Sequence, residues 1–368
     1  MSSIPSRGCK AMRRLVGALA LVCAAQAQGA VEVYGLVDVS VKYVNNLAGA
    51  RRVAQDSGDQ QGPRLGFRGA EDLGDGLRAL FVLESGIGLD TGSFAQGGLA
   101  FGRQAYVGVG SALGELSLGR QYDFMAELGA FHGVQQGTGT LDWNVGDNDR
   151  VSGQRLDNSL KVVFRNQTLT AGALYSLSES SGTARKPSAT SVLGRYAANG
   201  WSVAAAATLL RDAPVAPFAS MGLPEFFGAA ALLPSGAGAP VVADRLDIYG
   251  VGGSYAVGPL SLLGLVTQTH YARGPATERM HNSSVAARYA SGNGMVYAVS
   301  LAESSIAGAS WKRAALAADH VLSKRTDLYV YMVKERASGP GVRAALFTTV
   351  PSSGSEQRAV VAGIRHKF

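Results

Sequence analysis

The segment Val31-Glu-Val-Tyr-Gly-Leu-Val-Asp-Val-Ser-Val-Lys-Tyr43 puts Val31, Val33, Val37, Val39, Val41 and Tyr43 on one side of an extended chain, with Glu32, Tyr34, Leu36, Asp38, Ser40 and Lys42 on the other. Extended backbone repeats every two residues, so this pattern predicts a strand with one face in an apolar medium and one in water. The chain ends the same way: Val360, Ala362, Ile364, His366 and Phe368 share one face, and Arg365 and Lys367 the other. Both runs exceed the usual globular strand of about 5 to 6 residues and match the roughly 9 to 11 that cross an apolar layer. A final strand that stops on Phe368 fits a sheet closed onto its own first strand, with Ile364 and Phe368 as the expected closure and membrane-insertion signal.

Between these ends, alternating runs are joined in turn by short links rich in Gly, Asn, Asp or Pro and by long polar ones. The short links are 71–76, 110–114, 165–168, 198–200, 256–259, 290–294 and 323–326; the long ones fall near 45–63, 86–100, 123–154, 178–190, 211–244, 271–281, 303–310 and 337–357. Seven short links alternating with eight long ones predict sixteen strands with both termini on the short-link side. A sandwich has no reason to sort its links this way, whereas an antiparallel transmembrane β-barrel does. Barrels of about sixteen strands leave an aqueous channel. Tyr34, Tyr43, Tyr106, Trp201, Tyr255, Tyr271, Tyr289, Trp311, Tyr329 and Phe368, near strand ends, are expected to suit interfacial girdles.

Composition narrows the setting. Arg7, Lys10, Arg13 and Arg14 precede an apolar run, Leu15–Ala25, and the small-residue site Ala25-Gln26-Ala27, so residues 1–27 read as a cleavable export signal and 28–368 as the barrel domain. Losing that segment removes four of 34 basic residues and none of the 27 acids, lowering the net charge from +7 to +3. The alkaline character is then weak grounds for nucleic-acid binding, and no nucleic-acid partner is expected. Both cysteines, Cys9 and Cys23, leave with the signal, so stability must come from the sheet rather than from disulfides. No later apolar stretch approaches the roughly 18 residues of a helical span.

Several blocks in order along the chain resemble the trimeric general porins of Gram-negative bacteria, β-proteobacterial type. They are Val33-Tyr-Gly-Leu-Val-Asp38, Arg64-Leu-Gly-Phe-Arg-Gly-Ala-Glu-Asp-Leu-Gly-Asp-Gly-Leu-Arg78, Phe101-Gly-Arg-Gln-Ala-Tyr-Val-Gly108, Leu118-Gly-Arg-Gln-Tyr-Asp123, Arg155-Leu-Asp-Asn-Ser-Leu-Lys161 and Gly363-Ile-Arg-His-Lys-Phe368. The resemblance implies a sixteen-stranded barrel whose third long loop folds into the lumen, passing small hydrophilic solutes and ions. It also implies a homotrimer in contact with outer-membrane lipid and lipopolysaccharide, with no cofactor. By resemblance and strand position Arg64, Arg103 and Arg155 are the basic wall of the constriction, and Glu84, Asp123 and Glu127 its acidic lining. Arg103 shares the parity of outward Ala105, Val107 and Val109, so it enters the lumen only if the outward set is reversed or the strand is bulged.

The third loop carries acids only at its ends, Asp123 and Glu127 early and Asp142, Asp147 and Asp149 late. Several arginines facing few carboxylates predict a positive constriction and an anion preference. Pro224-Glu-Phe-Phe-Gly228 resembles a loop-3 tip motif but lies in a later link, and is read as part of an external loop. The scattered histidines, His132, His270, His281, His320 and His366, form no ordered catalytic or metal-binding motif, so neither an enzyme nor a metal site is expected. The alternative is a surface adhesin or receptor scaffold with a plugged barrel.

Overall fold

The computed structural model describes residues 31–178, 189–215, 218–227, 229–230 and 241–368. The expected export signal lies outside the described residues. Strands follow one another as β1 (Val31–Leu47), β2 in two pieces (Ala50–Ser57 and Arg64–Gly74), β3 (Leu77–Gly86), β4 (Gln104–Gly110), β5 (Gly114–Tyr122), β6 (Arg155–Arg165), β7 (Leu169–Ser176) and β8 (Ala189–Ala198). They continue as β9 (Trp201–Val215), β10 (Val241–Val257), β11 (Leu260–Arg273), β12 (Ala276–Ala290), β13 (Met295–Ile306), β14 (Ala309–Val321), β15 (Thr326–Ser338) and β16 (Glu356–Lys367). Each pairs antiparallel with the next, and β16 returns to β1 from Leu36 opposite Lys367 to Val44 opposite Ala359. The result is a closed sixteen-stranded antiparallel barrel, as the sequence predicts.

Closure runs to the last residue. The Gly35 amide donates to the Phe368 carbonyl at 3.0 Å and the Phe368 amide to the Gly35 carbonyl at 3.1 Å. A Cβ at Gly35 would collide with the Phe368 ring, which lies over that backbone. Alternation is maintained on β15, where Leu328, Val330 and Met332 are exposed on the outside while Tyr329, Tyr331 and Glu335 are buried inside. On the outside the Trp201 and Tyr255 rings stack at 4.3 Å, and Tyr289 and Tyr297 are exposed on the same face, as a girdle requires. Tyr34, Tyr106, Tyr271, Trp311 and Tyr329, expected in the girdle, point inward instead: Tyr34 hydrogen-bonds Glu84, Tyr106 lines an inner recess beside Gln104, and the others are buried.

All seven short links are tight turns at one rim, but three expected long links are not loops. Residues 45–57 of the first of them, and the regions 271–281 and 303–310, are extended hairpins that turn at Ala48-Gly49, Gly274-Pro275 and Ala307-Gly308. Ala48 and Ala307 take positive φ there, the conformation that two-residue hairpin turns demand. Beyond the apolar band both faces of these strands are wetted, so alternation disappears from the sequence while pairing continues.

Candidate functional site

Tyr122, the last residue of β5, organises one side of the lumen. Its hydroxyl accepts from Nη2 of Arg103 and from Nη2 of Arg155, each at 2.7 Å, and the Arg155 guanidinium lies 4.5 Å from the centre of its ring. Glu84, on β3, receives Arg103 Nε at 2.7 Å and the Tyr34 hydroxyl at 3.0 Å. Arg64, which opens the second piece of β2, donates to its own loop at the Gly62 carbonyl through Nε and Nη2, at 3.1 and 3.0 Å. The three expected arginines therefore line one cavity, of about 1190 Å³. Arg103 enters by neither of the two expected routes. Val107 and Val109 do face outward, but β4 begins only at Gln104, and residue 103 sits in a bend whose amide donates to the Glu84 carbonyl at 3.1 Å.

The third long loop, 123–154, lies inside the barrel against the opposite wall. A single helical turn, α1 (Met125–Leu128), and short 3-10 turns present Met125, Leu128, Phe131 and Val145 to that wall, all fully or almost fully buried, while Phe124 packs over Gly172 of β7 and Leu141 clusters with Tyr331 of β15 and Val44 of β1. The wall is cut to receive them: a Cβ at Gly250 would collide with Leu128, and one at Gly252 with Phe131. Burying a side chain of this size contributes about 1.5–3 kcal/mol, so the apolar edge of the loop holds it against the sheet.

The charges on this side are consumed locally. Arg313, fully buried on β14, pairs with Glu335 at 3.2 Å, approaches Asp142 at 4.0 Å and donates to Asn144 at 2.8 Å. Asp142 also accepts from Thr138 at 2.7 Å and from Ser300, while Asp149 accepts from Asn144 and Thr267, both at 2.7 Å, and from Asn282 at 3.1 Å. Burial pushes the Asp142 and Asp149 carboxyls up; Asp147, with Asp149 as a second cause, is raised to about 6. His132 is lowered to about 3 by burial and by Arg313. Asp123 is corrected here: it is fully buried, clasping Arg150 and accepting from the Met125 amide at 3.1 Å, so it anchors the loop instead of lining the channel. Glu84 faces inward but is 97% withdrawn from solvent by its partners; of the expected acids only Glu127 lines the cavity.

The break in β2 was not legible in the sequence. Residues 58–63 leave the sheet, and Asp59 takes the Ser40 hydroxyl at 2.5 Å and Lys42 Nζ at 2.8 Å. Asp38 holds the Gln60 and Gln61 amides at 2.9 and 2.5 Å. The excursion meets the tip of the third loop, where the Thr140 amide donates to the Asp59 carbonyl at 2.7 Å. The loop containing Pro224 also folds over the mouth, with Met221 and Leu223 buried, and the Arg343 amide donating to the Gly222 carbonyl at 2.9 Å.

Eight basic side chains and five carboxylates line the cavity. Lys42 is paired with Asp56 and Asp59, Arg103 with Glu84, and Arg365 with Asp327 and Asp319. Among the described residues Arg64, Arg155, Arg288, Lys324 and Lys367 have no carboxylate in ion-pair range, and Glu127 is the one lining acid without a cation. The histidines do not converge: His132 is inside the loop packing, His270 and His281 are outward on paired strands, and His366 bonds the Thr326 hydroxyl at 2.9 Å. Among the described residues no group of three or more metal-ligating side chains occurs.

A model of the Gram-negative porin family matches residues 16–339. The outer membrane porin protein 32 of Delftia acidovorans is 30% identical over 381 residues, covering 97% of this chain and 100% of the relative. An outer membrane porin protein of Bordetella pertussis is 42% identical over 113 residues, 27% of this chain and 29% of the relative. The structure of an anion-selective porin from Comamonas acidovorans superposes with a TM-score of 0.74 at 25% identity, over 93% of this chain and 100% of that one. OmpT of Vibrio cholerae shares the fold at a TM-score of 0.65 and 14% identity, over 92% and 98% of the two chains.

Proposed function

We propose, since the chain belongs to the Gram-negative porin family, that its water-filled channel passes small hydrophilic solutes with a preference for anions. It is an outer-membrane β-barrel porin, with the short turns on the periplasmic side. The preference rests on one observation: five lining cations without a carboxylate partner face a single unpaired lining carboxylate, Glu127. In a low-dielectric wall such an excess raises the local anion concentration and opposes cations. The relative from Comamonas, described as anion-selective, supports the same reading. Reversal potentials of single channels in a salt gradient test it; a wild-type channel that selects cations contradicts it. Sugar-driven swelling of liposomes separates the pore from a plugged scaffold, which leaves vesicles sealed.

The outward apolar faces of the first and last strands, including Val41, Val360 and Ile364, supply a surface for a homotrimer. Oligomers that dissociate on heating in mild detergent are the expected sign of the trimer, and monomers at every temperature would oppose it.

A further inference from the structure

Below the first turn of the third loop, a recess of about 440 Å³ opens between the inner wall and the short-turn rim. Arg78, Gln104, Glu115, Lys161 and Arg165 line it, and Glu127 lines both it and the main cavity, so the two spaces adjoin. Lys161 lies on β6 six residues nearer the rim than Arg155, beyond the irregular pairing with β5 between Leu156 and Ser159. Its Nζ donates to the Tyr122 carbonyl at 2.9 Å and sits 4.5 Å from the centre of the Phe124 ring. Tyr122 thus holds cations at both ends, Arg103 and Arg155 on its hydroxyl and Lys161 on its carbonyl. Among the described residues Lys161, Arg78 and Arg165 have no carboxylate in ion-pair range.

We propose that this recess is a second anion station, on the periplasmic side of the arginine cluster, taking small carboxylate or phosphate anions on Lys161 with Arg78 and Arg165 behind it. A mostly buried ammonium with one neutral acceptor retains donors for an anionic oxygen. Glu115 and Glu127 face the same space and keep binding weak, as passage requires. The station rests on the anion reading above, and two stations in series would move an anion from the constriction to the rim along one wall.

The test is side-specific block of single channels by citrate, with orientation read from the chamber in which protease trims the long loops. Wild-type channels should be blocked from the short-turn side, and Lys161→Gln should weaken that block by about tenfold, the worth of one hydrogen bond to a charged group. Block from the loop side, where citrate meets Arg64 and Arg155 first, should fall less. Lys161→Arg should retain most of the short-turn block, and Arg165→Gln, at the exposed rim, should lose part of it if Lys161→Gln fails to fold. Equal short-turn block in wild type and both Gln variants, or none in wild type, overturns the station. An anion-selective wild type with that result leaves the parent reading standing; a cation-selective wild type overturns the parent itself.

Discussion

Arg313 and Arg155 both point into the barrel, and they do opposite work. Arg313 sits where the third loop docks, surrounded by Glu335, Asp142 and Asn144, with none of its side chain reaching water. Arg155 sits across the lumen, held by a neutral phenol and open to the channel. On the docking wall charge is spent on structure; on the opposite wall it remains available to solutes. The field in the channel therefore follows from which charges are left unpartnered more than from how many the lumen contains.

The largest expected effect comes from emptying the docking side. Arg313→Gln strands two buried acids, a loss of about 3–5 kcal/mol. The third loop should undock, which protease cleavage within 123–154 and noisy, enlarged conductance would register. Gly250→Leu, which forces a side chain into Leu128, should loosen the loop by about 1–3 kcal/mol and produce the same cleavage at a lower rate. Arg155→Ala should cost about 2 kcal/mol of stability, one charged hydrogen bond and the contact with the Tyr122 ring, while lowering the anion preference. If Arg313→Gln and Arg155→Ala prove equally destabilising, the division between the two walls is wrong.

A smaller, pH-dependent effect sharpens the division. His132 has a docked pKa of about 3, below its ordinary 6.5, so an undocked loop takes up a proton below about pH 6.5 that the docked loop refuses until about pH 3. Its contribution therefore weakens docking as pH falls through that window. Asp147, raised to about 6, acts in the other direction: the docked loop binds its proton first, which favours docking as pH falls from about 6 toward 3.8. His132→Asn removes only the first effect and keeps an acceptor for the Val134 amide, now given to Nδ1 at 3.3 Å. Its loop-3 hydrogen-exchange protection, relative to wild type, should rise on acidification from pH 7 to pH 4. A constant difference would show that His132 does not titrate on undocking.

What the sequence discloses depends on whether one face of the chain is in oil. The alternation of Val31–Tyr43 and of Val360–Phe368 identifies both closing strands, and their register agrees with it. Where strands rise into water, as at Arg51-Arg52 and Glu278-Arg279, both faces are polar, and Ala-Gly at 48–49 lacks the Asn that advertises a tight hairpin turn. Loop acids are ambiguous for a related reason. Asp123 and Glu127 are four residues apart in one loop, yet one is clamped by Arg150 and the other reaches the channel, a difference made by partners remote in sequence. The sparse acid content of the loop middle was readable; that Asp142 and Asp149 turn to the wall depended on Ser300, Arg313, Thr267 and Asn282.

The most direct test of charge allocation between the two walls is the reversal potential of Arg64→Glu/Arg155→Glu in a salt gradient, beside wild type. Both residues lack buried ion-pair partners among the described residues, so the barrel should assemble and the sign of selectivity should swing from anions to cations. A double variant that folds, conducts and keeps the wild-type reversal potential would contradict the account.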